Sequence, residues 1–387
     1  MTATGPSRLS RARWATRAQF LHLGVIAGVW GVHVPSIKAA YALDARLLAL
    51  VLLATSVGSV VMLFLAGPLV GRLGIRAITV LAGWTFCAAL MVSLRLPGLV
   101  PLVVAMLLLG AGESLYDVAI NAEGTTLELL SGRAIMSGFH GMFSLGAMLG
   151  SASAAAMIRT GIPAPTQELL VGVTVAGSML VASRGMLESH PAVDATQSHF
   201  AMPRGVLLLT GMLICAAMLA EGVMYNWSVL YVQQELGAAQ QRAALAYVSF
   251  AGATAIMRFV GDRVRARLSE RTVVVGGALV SALAMTVVLL SANTGVAIVG
   301  FAVVGIGLAT IVPILYNAAT RVPGVTRAAA IASVSSIGYL GFMIGPPIIG
   351  GIAQSTSLTI AMATLIVAAL VLPLGAMRVP LAARAGR

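Results

Sequence analysis

Three polar residues recur every four positions inside a long apolar stretch of the chain: Glu113, Asp117 and Asn121. In an α-helix this spacing places them along one stripe, with about 40° of drift per step. Ionised carboxylates are costly in the middle of a membrane, so they normally face a wet cavity or a partner. Two ionised carboxylates one turn apart also repel each other, which raises their proton affinity. One of them can then bind and release a proton. The pattern predicts proton exchange at Asp117 and Glu113, and the structural alternative is hydrogen bonding to neighbouring helices.

Another acidic residue stands in the motif Glu221-Gly-Val-Met-Tyr225-Asn226-Trp227. Its tyrosine and asparagine offer hydrogen bonds, and its tryptophan offers a flat apolar face on which sugar-like rings stack. The combination favours a cavity for a polar organic solute. The alternative is an aromatic belt at the membrane surface with a glutamate that extends towards water.

Two histidines are candidates for acid–base work, because histidine titrates near physiological pH. They are His33 and His140. We assign His33, one turn after Trp30, to the same cavity together with that tryptophan, and a structural hydrogen bond explains the histidine equally well. Asn121 is a further cavity candidate.

The composition shows which elements must position these residues. Of the 387 residues, 59% are hydrophobic and only 9% are charged, whereas a soluble domain carries about 25% charged residues. A membrane-spanning helix needs about 20 mostly apolar residues. The sequence therefore predicts an all-α polytopic membrane protein with twelve transmembrane helices in two pseudo-symmetric six-helix bundles. The predicted spans are 18–40, 47–70, 76–95, 99–127, 135–158, 168–187, 205–233, 243–260, 272–291, 295–319, 328–352 and 358–377.

The basic residues predict the orientation of these spans. If the N-terminus is cytoplasmic, 19 of the 24 basic residues fall on the cytoplasmic side and five on the other, which favours both termini inside. The one long polar stretch then becomes a cytoplasmic linker between the bundles. The predicted divisions are an N-terminal tail at 1–17, a first bundle at 18–187, the linker at 188–204, a second bundle at 205–377 and a C-terminal tail at 378–387.

The two halves repeat the same pattern of small residues. Gly110 and Gly112 in span four match Gly305 and Gly307 in span ten. Gly146-xxx-Gly150 in span five likewise matches Gly341-xxx-Gly345 in span eleven. Single matches of this kind are common where membrane helices pack closely, but several in the same order indicate an internal repeat, as in many transporters.

Several function classes are disfavoured by the sequence. The formal net charge is +12, but the cations stand at the ends of apolar segments, so we predict no nucleic-acid partner. Cys87 and Cys215 have no CxxC or Cys/His spacing, and His190 and His199 in the linker are a weak pair, so neither a metal nor another cofactor is indicated. No HExxH or GxSxG motif indicates an enzyme.

The loop after span two, Gly67-Pro-Leu-Val-Gly71-Arg72-Leu-Gly-Ile-Arg76, resembles the signature loop of the major facilitator superfamily, and Arg258-Phe-Val-Gly-Asp262-Arg263 resembles its second copy. Gly71 stands where that signature has an aspartate. The resemblance implies a cytoplasmic gating role for Arg72, Arg76, Arg258, Asp262 and Arg263. It also implies a cavity lined by spans one, four, seven and ten, which makes Asn317 and Tyr339, on spans ten and eleven, weaker cavity candidates. Because span five neighbours span four in that fold, the resemblance further implies that His140 pairs with Asp117 or Glu113.

More narrowly, several segments resemble a bacterial inner-membrane branch related to the fucose-proton symporter. Relatives often have Asp-Trp-Ser where this chain has Asn226-Trp227-Ser228, and Arg-x-Pro where it has His33-Val34-Pro35. The resemblance covers nearly the whole chain and identifies Asp117 with the symporter's span-four carboxylate. It rests on the segments 117–121, 136–146, 221–228 and 338–347.

These observations predict a secondary transporter that moves a small polar, sugar-like solute by alternating access, coupled to protons. We expect a multi-pass monomer in the lipid bilayer of the bacterial inner membrane. Proton-coupled efflux of an amphipathic metabolite or drug is the alternative, because the residues around the predicted cavity are apolar overall. A non-transporting membrane sensor is the alternative from another class.

Overall fold

The structure is a computed structural model that describes residues 6–132, 135–187 and 203–382, without the side chains of residues 6, 262 and 328. Within these ranges every regular element is an α-helix and no strand occurs. The first half contains α1 (Pro6–Ala40), α2 (Ala45–Leu73), α3 (Ile75–Ser93), α4 (Leu99–Ser131), α5 (Met136–Arg159) and α6 (Ala164–Ser183). The second half contains α7 (Gly205–Gln234), α8 (Gln240–Arg267), α9 (Glu270–Ser291), α10 (Thr294–Leu308), α11 (Ile311–Ala319), α12 (Arg327–Ser355), α13 (Leu358–Met362) and α14 (Thr364–Ala376).

Twelve stretches of these helices are long and apolar enough to cross a membrane, which confirms the predicted fold class. The boundaries differ in places. Helix α1 begins at Pro6, so most of the predicted N-terminal tail is helical. The sixth span is 164–183 rather than 168–187, and the tenth is interrupted between α10 and α11.

The chain divides into two compact units by its internal contacts. The first unit comprises residues up to 43 and 50–192, and the second comprises 44–49 and the residues from 193 onwards. Most of the predicted linker, with His190 and His199, lies outside the described residues. The predicted divisions between tails, bundles and linker therefore stay predictions.

Helices α1 and α5 touch through their backbones. A Cβ atom added at Gly146 would overlap the carbonyl oxygen of Leu21, and one added at Gly150 would overlap that of Val25. Lipid supplies no hydrophobic force to join helices, so van der Waals packing between close backbones holds them together instead. Glycine at these positions is what permits the approach.

The second unit repeats this packing at equivalent positions. A Cβ at Gly341 of α12 would overlap the carbonyl oxygen of Cys215 in α7. Similarly, Gly110 of α4 lies against the carbonyl of Thr55, and Gly305 of α10 against that of Phe250. The glycines that match in sequence thus make matching contacts. Gly345 is different from its counterpart, because a Cβ there would meet no atom within 4 Å.

We predict that Gly146→Ala lowers the free energy of unfolding by about 1–3 kcal/mol, because the added methyl group has no room against the Leu21 carbonyl. Gly138→Ala is the matched control on the same helix, since a Cβ there would meet no atom within 4 Å. Unfolding of the purified protein in mixed micelles measures both. Equal destabilisation by the two substitutions would contradict this account.

Candidate functional site

In the first unit the carboxylate stripe lies in the middle of α4. Glu113, Asp117 and Asn121 are all half-buried. The Asn121 side-chain amide donates to Asp117 Oδ1 at 2.9 Å and to the Asp117 backbone carbonyl at 2.8 Å. Asn121 therefore orients the Asp117 carboxylate, and Glu113 interacts electrostatically with Asp117 from one turn away. The structure brings together the three residues that the spacing predicts to share a stripe.

A buried hydrogen-bond network holds α4 next to this stripe. Tyr116 is fully buried, and its hydroxyl donates to Gln19 Oε1 at 2.7 Å. Gln19 in turn donates through Nε2 to the backbone carbonyl of Met179 at 3.1 Å. The network joins α1, α4 and α6, so the helix that carries Asp117 is fixed in rotation. The sequence signal for it is a tyrosine beside the aspartate and a glutamine within an apolar stretch, which our sequence analysis did not use.

His140 of α5 packs edge-on against Phe20 of α1, with ring centroids 5.4 Å apart. The histidine side chain is half-buried. A proton-sharing partnership with Asp117 or Glu113 stays a prediction.

His33 is fully buried within the first unit. Its Nε2 lies 3.0 Å from Gln167 Oε1, and its Nδ1 lies 3.1 Å from Ser36 Oγ. Because the Gln167 amide nitrogen donates to the Ile162 carbonyl at 2.7 Å, its oxygen faces the histidine, which must therefore donate through Nε2. Both ring nitrogens are engaged, Nε2 in joining α1 to α6 and Nδ1 in a contact within α1. This geometry favours the structural interpretation of His33, and Trp30, one turn earlier, is also buried.

In the second unit Glu221 of α7 forms an ion pair with Arg258 of α8. Arg258 Nη2 lies 3.6 Å from Glu221 Oε2, and the two side chains are 13% and 9% exposed. The resemblance assigned Arg258 to cytoplasmic gating, but the structure pairs it with a residue assigned to the cavity. Of its predicted gating partners, Arg263 is exposed, and the side chain of Asp262 lies outside the described residues.

Arg258 also reaches the interruption of the tenth span. Its Nε donates to the Ala309 backbone carbonyl at 3.5 Å. In a continuous helix that carbonyl would accept from the N–H of residue 313, but Pro313 has none. The proline therefore leaves an acceptor inside the membrane span, and the arginine supplies a donor. The sequence explains both the helix break and its partner.

Two hydroxyl groups beside this pair are buried, and the described residues provide them with no hydrogen-bond partner. They are Tyr225 Oη and Thr310 Oγ1. The Tyr225 ring packs against Phe250, with centroids 5.2 Å apart, and its hydroxyl interacts electrostatically with Glu221 and Arg258. Thr310 directly follows Ala309 and is 7% exposed. A buried polar group without a partner costs about 1–3 kcal/mol, so these hydroxyls indicate a place where a ligand or water binds. We call Glu221, Tyr225, Arg258 and Thr310 the break cluster.

The remaining predicted cavity residues are dispersed in the second unit. Trp227 is 1% exposed and packs in the interior, so its face is covered by protein in this conformation. Asn226 is half-buried and donates to the Gly222 carbonyl of its own helix at 3.0 Å. Asn317 is exposed, whereas Tyr339 is half-buried.

The strongest charged network of the second unit was missed by the sequence analysis. Arg321 donates to both carboxylate oxygens of Glu270, at 2.6 and 2.7 Å. Arg265 adds a contact at 3.4 Å, and the backbone N–H of Ala382 donates to Glu270 Oε2 at 2.9 Å. Hydrogen bonding to Glu270 raises the pKa of Arg321. In sequence, Glu270 is an acid within an arginine-rich loop, which was the available signal. Of the predicted gating residues in the first unit, Arg72 is exposed and Arg76 half-buried.

The chain is similar to known transporters over nearly its full length. Residues 209–385 match the family described as Major Facilitator Superfamily. An uncharacterised MFS-type transporter of Yersinia pestis is 34% identical over 90% of each chain. The membrane protein MosC of Rhizobium meliloti is 28% identical over 89% of this chain and 84% of its own length.

Solved structures share the fold. The fucose:proton symporter FucP of E. coli superposes with a TM-score of 0.67 at 15% identity, covering 94% of this chain and 97% of its own. The nucleoside transporter NupG superposes with a TM-score of 0.72 at 12% identity, covering 96% and 99%. The fold and the similarities define a multi-pass helical membrane transporter rather than an enzyme. The chain belongs to the major facilitator superfamily, as its signature loops predicted.

We predict that Arg258→Gln lowers the free energy of unfolding by about 3 kcal/mol or more, because it leaves the buried Glu221 carboxylate without its cation. Glu221→Gln removes the same ion pair and should lower the free energy of unfolding by a smaller amount. The double variant should lose less than the sum, by about 0.5–3 kcal/mol. Unfolding of the purified protein in mixed micelles gives all three values.

The control for this comparison of single and double variants is Glu221→Gln combined with Arg242→Gln. Arg242 is exposed and stands 16 residues before Arg258 on α8, about 24 Å along the helix. Its effect should add to that of Glu221→Gln. If the losses in free energy of unfolding of Glu221→Gln and Arg258→Gln also summed to that of their double variant, the contact between the two residues would contribute nothing to stability.

Proposed function

We propose that the chain is a proton-coupled transporter of a small polar organic solute in the bacterial inner membrane, with both termini in the cytoplasm. The observation that carries the proposal is the α4 stripe, in which Asn121 orients the Asp117 carboxylate one turn from Glu113. Carboxylates at this depth of an apolar span are rare unless they serve transport or pairing. In the described residues Asp117 has an amide partner, not a basic one.

Asp117 is the group on which the proton would bind during transport. The charged carboxylate opposes passage through a closed, water-poor state, and protonation removes that cost. Asn121 remains hydrogen-bonded to Asp117 in either state through its two contacts, one of which is to the backbone. Glu113 is the second proton candidate, because it interacts electrostatically with Asp117.

The break cluster is the proposed solute contact of the second unit. Its unpaired hydroxyls and its ion pair offer both donors and acceptors to a polar solute. A sugar-like solute is supported by the two structural relatives, a fucose:proton symporter and a nucleoside transporter. Alternating access of the two bundles would expose the solute to one side at a time.

The test uses proteoliposomes that contain a pH-sensitive dye, to which pools of sugars, polyols and nucleosides are added outside. We expect solute-dependent acidification of the lumen from the wild type, and from Asp117→Asn a loss of about tenfold or more, because the proton carrier is gone. Counterflow of a labelled solute, which needs no net proton movement, should persist in Asp117→Asn.

Asp44→Asn is the matched control. Asp44 is exposed and accepts from the Leu47 N–H at 2.7 Å, a cap that asparagine can also form. This variant should acidify the lumen like the wild type. Proton movement that survives in both Asp117→Asn and Glu113→Gln would refute coupling through α4. Counterflow without any proton movement in the wild type would leave a transporter but remove proton coupling.

A further inference from the structure

The N-terminal part of α1 has a feature that the transport proposal does not use. Helix α1 has 35 residues, which span about 52 Å at 1.5 Å per residue. The hydrocarbon core of a bilayer is only about 30 Å thick. The first twelve residues of the helix, before the apolar stretch at residue 18, extend by about 18 Å. With the apolar stretch from residue 18 in the hydrocarbon core, these residues would lie at the level of the headgroups of the adjacent leaflet.

One side of this extension is fixed against the rest of the first unit. Ala12, Ala15 and Thr16 are buried. A Cβ at Gly185, just beyond α6, would lie 2.9 Å from the Cβ of Ala15. One turn further, Gln19 hydrogen-bonds to the Met179 carbonyl. The extension is therefore a packed helix whose outward side has a defined orientation.

The outward side carries cations around an aromatic ring. Arg11, Trp14 and Arg17 follow each other at intervals of three, which sweeps about 120° of the helix surface. Trp14 is 64% exposed, and the Arg17 guanidinium carbon lies 4.6 Å from the centre of its ring. Arg11 is exposed and Arg13 half-buried. We call Arg11, Trp14 and Arg17 the cationic face.

Among the residues that the structure describes, little negative charge lies near this face. The first acidic residue in the sequence is Asp44. Near the end of α6, Glu123 is fully buried and accepts from the Leu187 N–H at 2.7 Å. Arg184, in the same region, is exposed and adds a further cation. The described part of these surroundings is thus cationic, with an exposed aromatic side chain at its centre.

We propose that the cationic face binds the headgroup of an anionic phospholipid in the leaflet next to the N-terminal end of α1. The guanidinium groups match phosphate oxygens in charge and in planar hydrogen-bond geometry. Tryptophan is the residue that settles at the headgroup level, with its ring against the glycerol and upper acyl region. A free phosphate ion would satisfy the arginines but leave the Trp14 ring in water, whereas a lipid satisfies both.

The test measures contact between Trp14 and the lipid in the full-length protein, reconstituted in phosphatidylcholine vesicles with a fixed fraction of phosphatidylglycerol. Bromine on the upper acyl chain of either lipid quenches tryptophan fluorescence, and the Trp14 component is the difference between wild type and Trp14→Phe. We expect bromine on phosphatidylglycerol to quench this component at least about twofold more than the same amount on phosphatidylcholine.

Arg11→Gln/Arg17→Gln should abolish that preference. The matched control is Arg263→Gln/Arg267→Gln, which removes two exposed arginines from the end of α8 and leaves the cationic face intact. If the first variant does not fold, Arg11→Lys/Arg17→Lys keeps the charge and loses the planar geometry, and it should reduce the preference partly.

Three results would overturn the proposal. Equal quenching by the two brominated lipids in the wild type would show that the face does not select anionic lipid. Equal loss in the control variant would show an effect of net charge alone. If soluble glycerophosphate reduced the quenching of Trp14 as effectively as unbrominated lipid does, the face would be a phosphate site instead. No solute is needed, so the outcome is independent of the proposed transport function.

Discussion

Close contact between a glycine and a backbone carbonyl of the neighbouring helix is the interaction on which both units depend. In the first unit it joins α1 to α5 and α2 to α4, and in the second it joins α7 to α12 and α8 to α10. These contacts occur where lipid gives no hydrophobic force between helices. They set the rotation of α4 and the position of α10, and therefore the places of Asp117 and of the helix break.

The two units balance their buried polar groups in different ways. In the first, several hydrogen-bonded pairs are neutral or amide-held: His33 with Gln167, Tyr116 with Gln19, and the Asp117 carboxylate with the Asn121 amide. The second uses ion pairs, Glu221 with Arg258 and Glu270 with Arg321. A carboxylate held by neutral donors can lose its charge without stranding a cation, whereas one held by arginine cannot. This difference is why proton exchange is proposed for the first unit and solute contact for the second.

Much of the fold could be predicted from sequence because it follows from local patterns. Apolar length marks the twelve spans, and glycine spacing marks the repeated contacts at Gly110, Gly146, Gly305 and Gly341. The carboxylate stripe follows from helix periodicity alone. The pair of Glu221 with Arg258 could not be predicted in this way, because it depends on how far α7 and α8 are rotated toward each other. The break at Ala309 was visible in Pro313, but the same residue type lies within continuous helix in α1 and α12.

The contacts of Glu270 join distant parts of the chain in the order of synthesis. Its carboxylate accepts from the Ala382 N–H, and its own N–H donates to the Ala382 carbonyl at 3.2 Å. Arg321, the other main partner, also donates to the Pro380 carbonyl at 3.2 Å. Residues 380–382 are made more than a hundred positions after Glu270, at the far side of α14. The start of α9 therefore forms its last hydrogen bonds only after α14 has been synthesised, which makes them a late step in the assembly of the second unit.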